Sequence, residues 1–280
     1  MLVALTRSAP GMIAAATTDD RKAAETMRPL ARLDRAADQI RLGEPSAAIS
    51  DLFGYLSEVR SRLAQGDWRQ FCSAARSTVL GRILAREPIV ATARRARKRD
   101  SAHDELLDFI ASTPLLWADD PTIGTLHTAI ATRPLASAIR ARESVLRSSA
   151  VDRMRLSVEP FVAAVTAEDI RRGWAMDADA RRPADFMFVR GLFDCMGTAE
   201  AMRVTRAAAS RLRSGGCFLF SSFADACPDA AFVECFFGWR PAWRSEGEMR
   251  AIAAAAGSGF AKRHWASAEG AIHYCEVLRP

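Results

Sequence analysis

The sequence predicts an α/β protein in which a reduced, mostly parallel sheet finished by a C-terminal hairpin follows an N-terminal helical domain. Three observations predict it. Apolar residues recur at helical spacing over residues 20–150, short β-like runs alternate with helices after Val151, and residues 260–279 hold two strand-like runs around a turn at 267–270. The expected organisation is a frayed tail over 1–19, a helical domain or lid over 20–150, and the sheet-bearing domain over 151–280.

In the first half, Met27, Leu30, Leu33 and Ala37 form one apolar stripe. Ile49, Leu52, Phe53, Leu56 and Val59 form a second, behind the Pro45-Ser46 start signal. Asp67 is placed to cap a third helix running through Phe71 and Val79 to Leu84, and a shorter helix over 104–112 carries Leu106, Leu107, Phe109 and Ile110. Residues 113–122 read as a loop and 135–149 as a helix turning Ile139, Val145 and Leu146 inward. In the second half the expected strands are 154–159, 174–178, 185–190 and 216–222, with helices over 161–172, 198–213 and 245–255. Gly215 and Gly216 stop one of those helices and open the strand after it. Strands separated by helices run parallel, because a crossover returns the chain to the same edge.

At 280 residues, 49% hydrophobic and 26% charged, the chain has the composition of a folded globular protein and is long enough to bury a sizeable core. The net charge of +6 comes almost wholly from arginine, since Lys22, Lys98 and Lys262 are the only lysines. The densest basic run is Arg94, Arg95, Arg97, Lys98 and Arg99, with no aromatic residue between Phe71 and Phe109. A nucleic-acid site interleaves bases with aromatic platforms, so this run reads as a solvated helix face or an anion site instead. The six cysteines form no C-x-x-C pair and no zinc spacing, so no metal site is expected and a reducing cytoplasm fits. Arg7 and Pro10 interrupt the apolar start before it reaches the length of a secretory core, and no window is long enough to span a bilayer.

Two segments carry a family resemblance: GLFDCM at 191–196 and LRSGGCFLFSSF at 212–223. With the terminal hairpin, they make the C-terminal half resemble the class I S-adenosylmethionine-dependent methyltransferases, whose Rossmann-like sheet ends with one antiparallel strand. Within that superfamily the chain is similar to the branch named for extracellular-factor (3-hydroxypalmitic acid methyl ester) biosynthesis. That branch has GLFDYL after its fourth strand, then L-x-P-G-G-x-L-x-x-x-N-F, then a segment like M-D-W-x-L-x-Y-R. Here FGWRPAWRSEGEM at 237–249 matches the last at Trp239, Arg244 and Glu248. The helix ELLDFI at 105–110 matches the branch's ELLDFIY, but the Gly-rich loop before it is replaced by residues 97–103. The likeness covers about residues 45–280.

Departures from the pattern bear on the cofactor. A nucleotide needs glycine where backbone and cofactor approach closely, yet the expected first strand runs into Val158, Glu159, Pro160 and Phe161 with none. Only five residues separate Asp179 from Asp185, too few for the helix, strand and helix the fold places there, so a sheet smaller than the usual seven strands is expected.

The candidate residues follow from the resemblance and from strand-end position. For the cofactor these are Asp177 and Asp179 as ribose ligands, Gly191, and Glu159 as ligand of the substrate ammonium or as a helix cap. For catalysis they are Asp194, at the carboxyl end of a strand, and His103, with a side chain suited to general-base work. Arg244 completes the set, as a fork for a carboxylate or a structural Arg stacked on Trp. Arg99, Trp239 and Trp243 are the candidate substrate contacts. Cys195 lacks a neighbouring base and reads as packing. The implied activity is S-adenosylmethionine-dependent methyl transfer to a small carboxylate-bearing or acyl substrate, resting on proximity and in-line orientation. The alternative is a degenerate relative that lost the cofactor and serves as a partner or scaffold subunit in a homo- or hetero-oligomer.

Overall fold

The computed structural model describes residues 18–96, 102–112, 120–155, 159–166 and 182–280. Among the described residues eight helices come first: α1 Thr18–Arg41, α2 Pro45–Arg62, α3 Gln65–Ser77, α4 Val79–Leu84, α5 Pro88–Ala96, α6 Ala102–Ser112, α7 Pro121–Ala131 and α8 Pro134–Met154. Proline opens α2, α7 and α8, where its fixed φ suits the first turn and its missing N–H is not needed. The helix expected through Phe71 to Leu84 is two helices. The Thr78 hydroxyl accepts from the Gly81 amide and starts α4 afresh. Neither α5 nor α7 was foreseen; Glu87 caps the first by accepting from the Ile89 and Val90 amides, and Asp120 caps the second.

The strands are β1 Val162–Val165, β2 Ala184–Val189, β3 Leu212–Phe223, β4 Ala261–Ala266 and β5 Ile272–Leu278, in the order β1-β2-β3-β5-β4. β1, β2 and β3 are parallel, and β5 runs antiparallel between β3 and β4. The described strands thus form one mixed five-stranded sheet. The first strand is displaced from its expected position: α8 continues to Met154, and Val162–Val165 pairs with β2 where a helix over 161–172 was expected. Four residues are too few for periodicity to separate strand from helix, and pairing with the buried β2 decides it. The strand expected at 174–178 lies outside the described residues.

Helix α9, Thr198–Ser210, and helix α10, Glu246–Ala254, lie on one face of the sheet with Phe218, Phe220 and Val277. A capping box between Ser245 and Glu248 starts α10. On the other face Phe223, Ile272 and Tyr274 join the same apolar core as the helices of the first half. Phe53 of α2 stacks on Phe232 at 4.3 Å, and Asp229 caps α8 by accepting from the Leu135 amide at 2.8 Å. Each buried Phe contributes on the order of 1.5–3 kcal/mol, so these shared contacts fix the helices on the sheet. β3 bulges at Gly215 and Gly216, and a Cβ at Gly216 would lie 2.7 Å from the Ala184 carbonyl oxygen, so only glycine fits.

Candidate functional site

Open α/β sheets bind ligands beyond the carboxyl ends of their parallel strands. At that edge β2 ends at Val189, and Gly191 adopts φ +69°, which bends the chain into a 3-10 turn, Leu192–Cys195. The turn carries Asp194 inward to complete burial. One carboxylate oxygen accepts from the Phe223 amide at 3.0 Å and the other from Arg142 Nη1 of α8, also at 3.0 Å. Arg142 is itself 2% exposed and lies over the Phe223 ring.

Arg244 is equally enclosed. Its guanidinium donates to the carbonyl oxygens of Phe193 and Met196 and to Ser222 Oγ, at 2.6 Å for Met196 and 2.7 Å for Ser222. Burial is the main cause that holds its pKa below the ordinary arginine range. Asp194 and Arg244, expected as catalytic groups, are thus both buried, and of the two readings of Arg244 the structural one matches its contacts, made to backbone carbonyls and a serine rather than to a Trp ring. Both stand at the carboxyl edge, but Asp194 pins α8 to the sheet and Arg244 staples the 3-10 turn to β3.

Glu159 is corrected in position. Because the first strand begins at Val162, Glu159 precedes it and sits at the amino edge, highly exposed, with Arg182 donating to its carbonyl oxygen. Asp177, Asp179 and Arg99 lie outside the described residues, as does the side chain of His103, whose backbone belongs to α6. Trp239 packs edge-on against Phe223 with ring centroids 5.3 Å apart. A nucleoside needs a close glycine approach and an acid for the ribose. Among the described residues the carboxyl edge offers Gly191, whose carbonyl accepts from the Asp194 amide within the turn, and Asp194, already bonded on both oxygens. Those residues do not fit the cofactor.

A cleft of about 630 Å³ opens at the same edge between α2 and α3 and the segment that follows β3. Its functional lining is Arg60, Trp68, Asp225, Glu234, Arg240 and Trp243. The segment folds as a short helical turn, Ala230–Phe232, that widens into a π turn, Val233–Phe237, ended by Gly238 at φ +68°. The widened turn leaves carbonyls unpaired by the helix pattern. Arg76 donates to that of Cys235 at 2.7 Å and Arg94 to that of Phe236 at 3.0 Å. Glu234 is thereby held at the cleft wall, where it accepts from Trp68 Nε1 at 2.6 Å, Trp243 Nε1 at 2.7 Å and Arg60 Nη2 at 2.8 Å. Three donors on one nearly buried carboxylate fix two indoles and a guanidinium in orientation. Arg240 and Asp225 are exposed at the cleft mouth.

Of these, the sequence pattern singles out Trp243 alone. Two signals were available. Glu234 is the one charged residue in the apolar run AAFVECFF at 230–237, and Arg142 stands at helical spacing in the stripe Leu135, Ile139, Leu146. A charge on an otherwise buried face needs a partner.

No family model and no curated protein matches the chain. Among solved structures it is similar to a possible exported protein from Bordetella parapertussis, at 13% identity and a TM-score of 0.47, over 95% of this chain and 100% of the other. It is also similar to mitomycin 7-O-methyltransferase, at 15% identity and a TM-score of 0.35, over 94% and 100%. Both TM-scores lie below 0.5, too low to carry chemistry from one chain to the other. No helix among the described residues is long and apolar enough to cross a membrane.

Proposed function

We propose that the chain is a methyltransferase-fold protein that binds a small carboxylate-bearing molecule in the cleft without S-adenosylmethionine, as the cofactor-free partner subunit of a biosynthetic assembly. The observation that carries this reading is the Arg142–Asp194 pair. The acid at the end of β2 faces a guanidinium of the protein's own helical half, so the central carboxyl edge serves architecture. The cleft beside it keeps the features of a ligand site: volume, a half-buried indole wall at Trp243, and at its mouth the exposed Arg240 guanidinium, whose fork suits a carboxylate. Six free thiols suit a reducing cytoplasm.

A second reading is favoured by the sheet order, in which β5 is the one antiparallel strand among the described residues, as the resemblance implies. On it the protein is an S-adenosylmethionine-dependent transferase with Asp177 or Asp179 on the ribose. Calorimetric titration with S-adenosylmethionine up to millimolar concentration separates the two. The first reading expects no saturable heat. Saturable binding that weakens roughly ten- to a hundredfold in Asp177→Ala or Asp179→Ala would replace it with the second, since a charge-assisted hydrogen bond contributes about 1.5–3 kcal/mol.

A further inference from the structure

Away from the cleft, on the sheet face covered by α10, two histidines meet across the terminal hairpin. His264 of β4 pairs in register with Cys275, and His273 of β5 pairs with Ala266, so the two imidazoles are diagonal neighbours on one face. Their nitrogens, His264 Nε2 and His273 Nδ1, stand 3.2 Å apart, with ring centroids at 5.0 Å. We propose that this pair is a binding site for a divalent transition-metal ion of the zinc, nickel or copper class.

The geometry supports it in two ways. A metal placed about 2.05 Å from each nitrogen, at their observed separation, would subtend an angle of about 100°, close to tetrahedral, so the present spacing already suits two ligands of one ion. The other nitrogen of His264, Nδ1, lies 3.7 Å from Glu246 Oε1 at the start of α10, the place of a carboxylate that orients a metal-bound imidazole from behind. No group of three or more metal-ligating side chains occurs among the described residues, so the protein supplies two ligands and water completes the shell. Imidazole with water selects borderline ions over magnesium or calcium, which require oxygen ligands.

The test uses the full chain, stripped with chelator and titrated calorimetrically with zinc chloride, with magnesium chloride as control. The expected result is one saturable zinc site and no magnesium heat. Zinc affinity should fall at least ~tenfold in His264→Gln and in His273→Gln, and by a smaller factor in Glu246→Gln. Absence of saturable zinc binding, or wild-type affinity in both histidine variants, overturns the proposal. Should a glutamine variant fail to fold, copper(II) added to the wild type decides the same point. Selective broadening of the His264 and His273 ring resonances supports the site, and broadening confined to His103 and His127 contradicts it.

Discussion

Trp68 donates its indole N–H to Glu234 at 2.6 Å across 166 residues of sequence, joining helix α3 to the turn that follows β3. The same carboxylate holds Arg60 and Trp243, so a single side chain ties the helical half, the π turn and the loop before α10 into one cleft wall.

Replacing Glu234 with Gln keeps an acceptor for one indole but turns an amide donor toward the other donors and removes the charge opposite Arg60. The expected loss of stability is on the order of 1.5–3 kcal/mol, read as a lower urea midpoint. Tryptophan emission should shift as Trp243 comes loose. An unchanged midpoint together with an unchanged spectrum would show that the cluster does not hold the wall.

The two glycines Gly216 and Gly54 should respond oppositely to alanine. At Gly216 the added Cβ meets the Ala184 carbonyl oxygen at 2.7 Å and that of Arg213 at 2.9 Å, so Gly216→Ala should cost about 1–3 kcal/mol. Gly54 lies on the exposed face of α2 with nothing within 4 Å, and Gly54→Ala should stabilise by roughly 0.5–1 kcal/mol. Thermal melts of the two variants check the sign of each.

Thiol chemistry should single out one residue. Cys195 is exposed and the other five cysteines are buried, with burial pushing Cys217, Cys227 and Cys275 up to about 12. A chromogenic disulfide reagent at pH 8 should modify Cys195 alone in the native protein and all six thiols in denaturant. Rapid modification of two or more native thiols would contradict the packing described.

Local signals carried much of the architecture. The Pro45-Ser46 start, the ELLDFI helix and the terminal hairpin each depend on neighbours in sequence, and each stands where the pattern places it, whereas the strand expected to open at Gly215-Gly216 begins at Leu212 and takes both glycines inside it as a bulge. The first strand was misplaced because four residues lack a readable period. The cleft was legible only in part, because its chemistry arises from pairs far apart in the chain. Arg60 and Trp68 sit on amphipathic helices that read as ordinary packing until the fold brings Glu234 between them. Asp194 is legible from its position at a strand end and Arg244 from the 237–249 match, but neither signal tells an open edge from one that α8 closes.

The most direct test of the structural role assigned to the carboxyl edge is the stability of Asp194→Asn, measured by denaturant unfolding alongside Arg142→Met and the double variant. The single Asp194 change leaves the Arg142 guanidinium buried without its counter-charge, and breaking such a pair costs about 3–5 kcal/mol. The double variant should lose markedly less than the sum of the two, since removing both charges removes the uncompensated one. If Asp194→Asn instead keeps the wild-type midpoint, the Arg142–Asp194 pair does not hold α8 on the sheet, and Asp194 returns as a residue available for ligand chemistry.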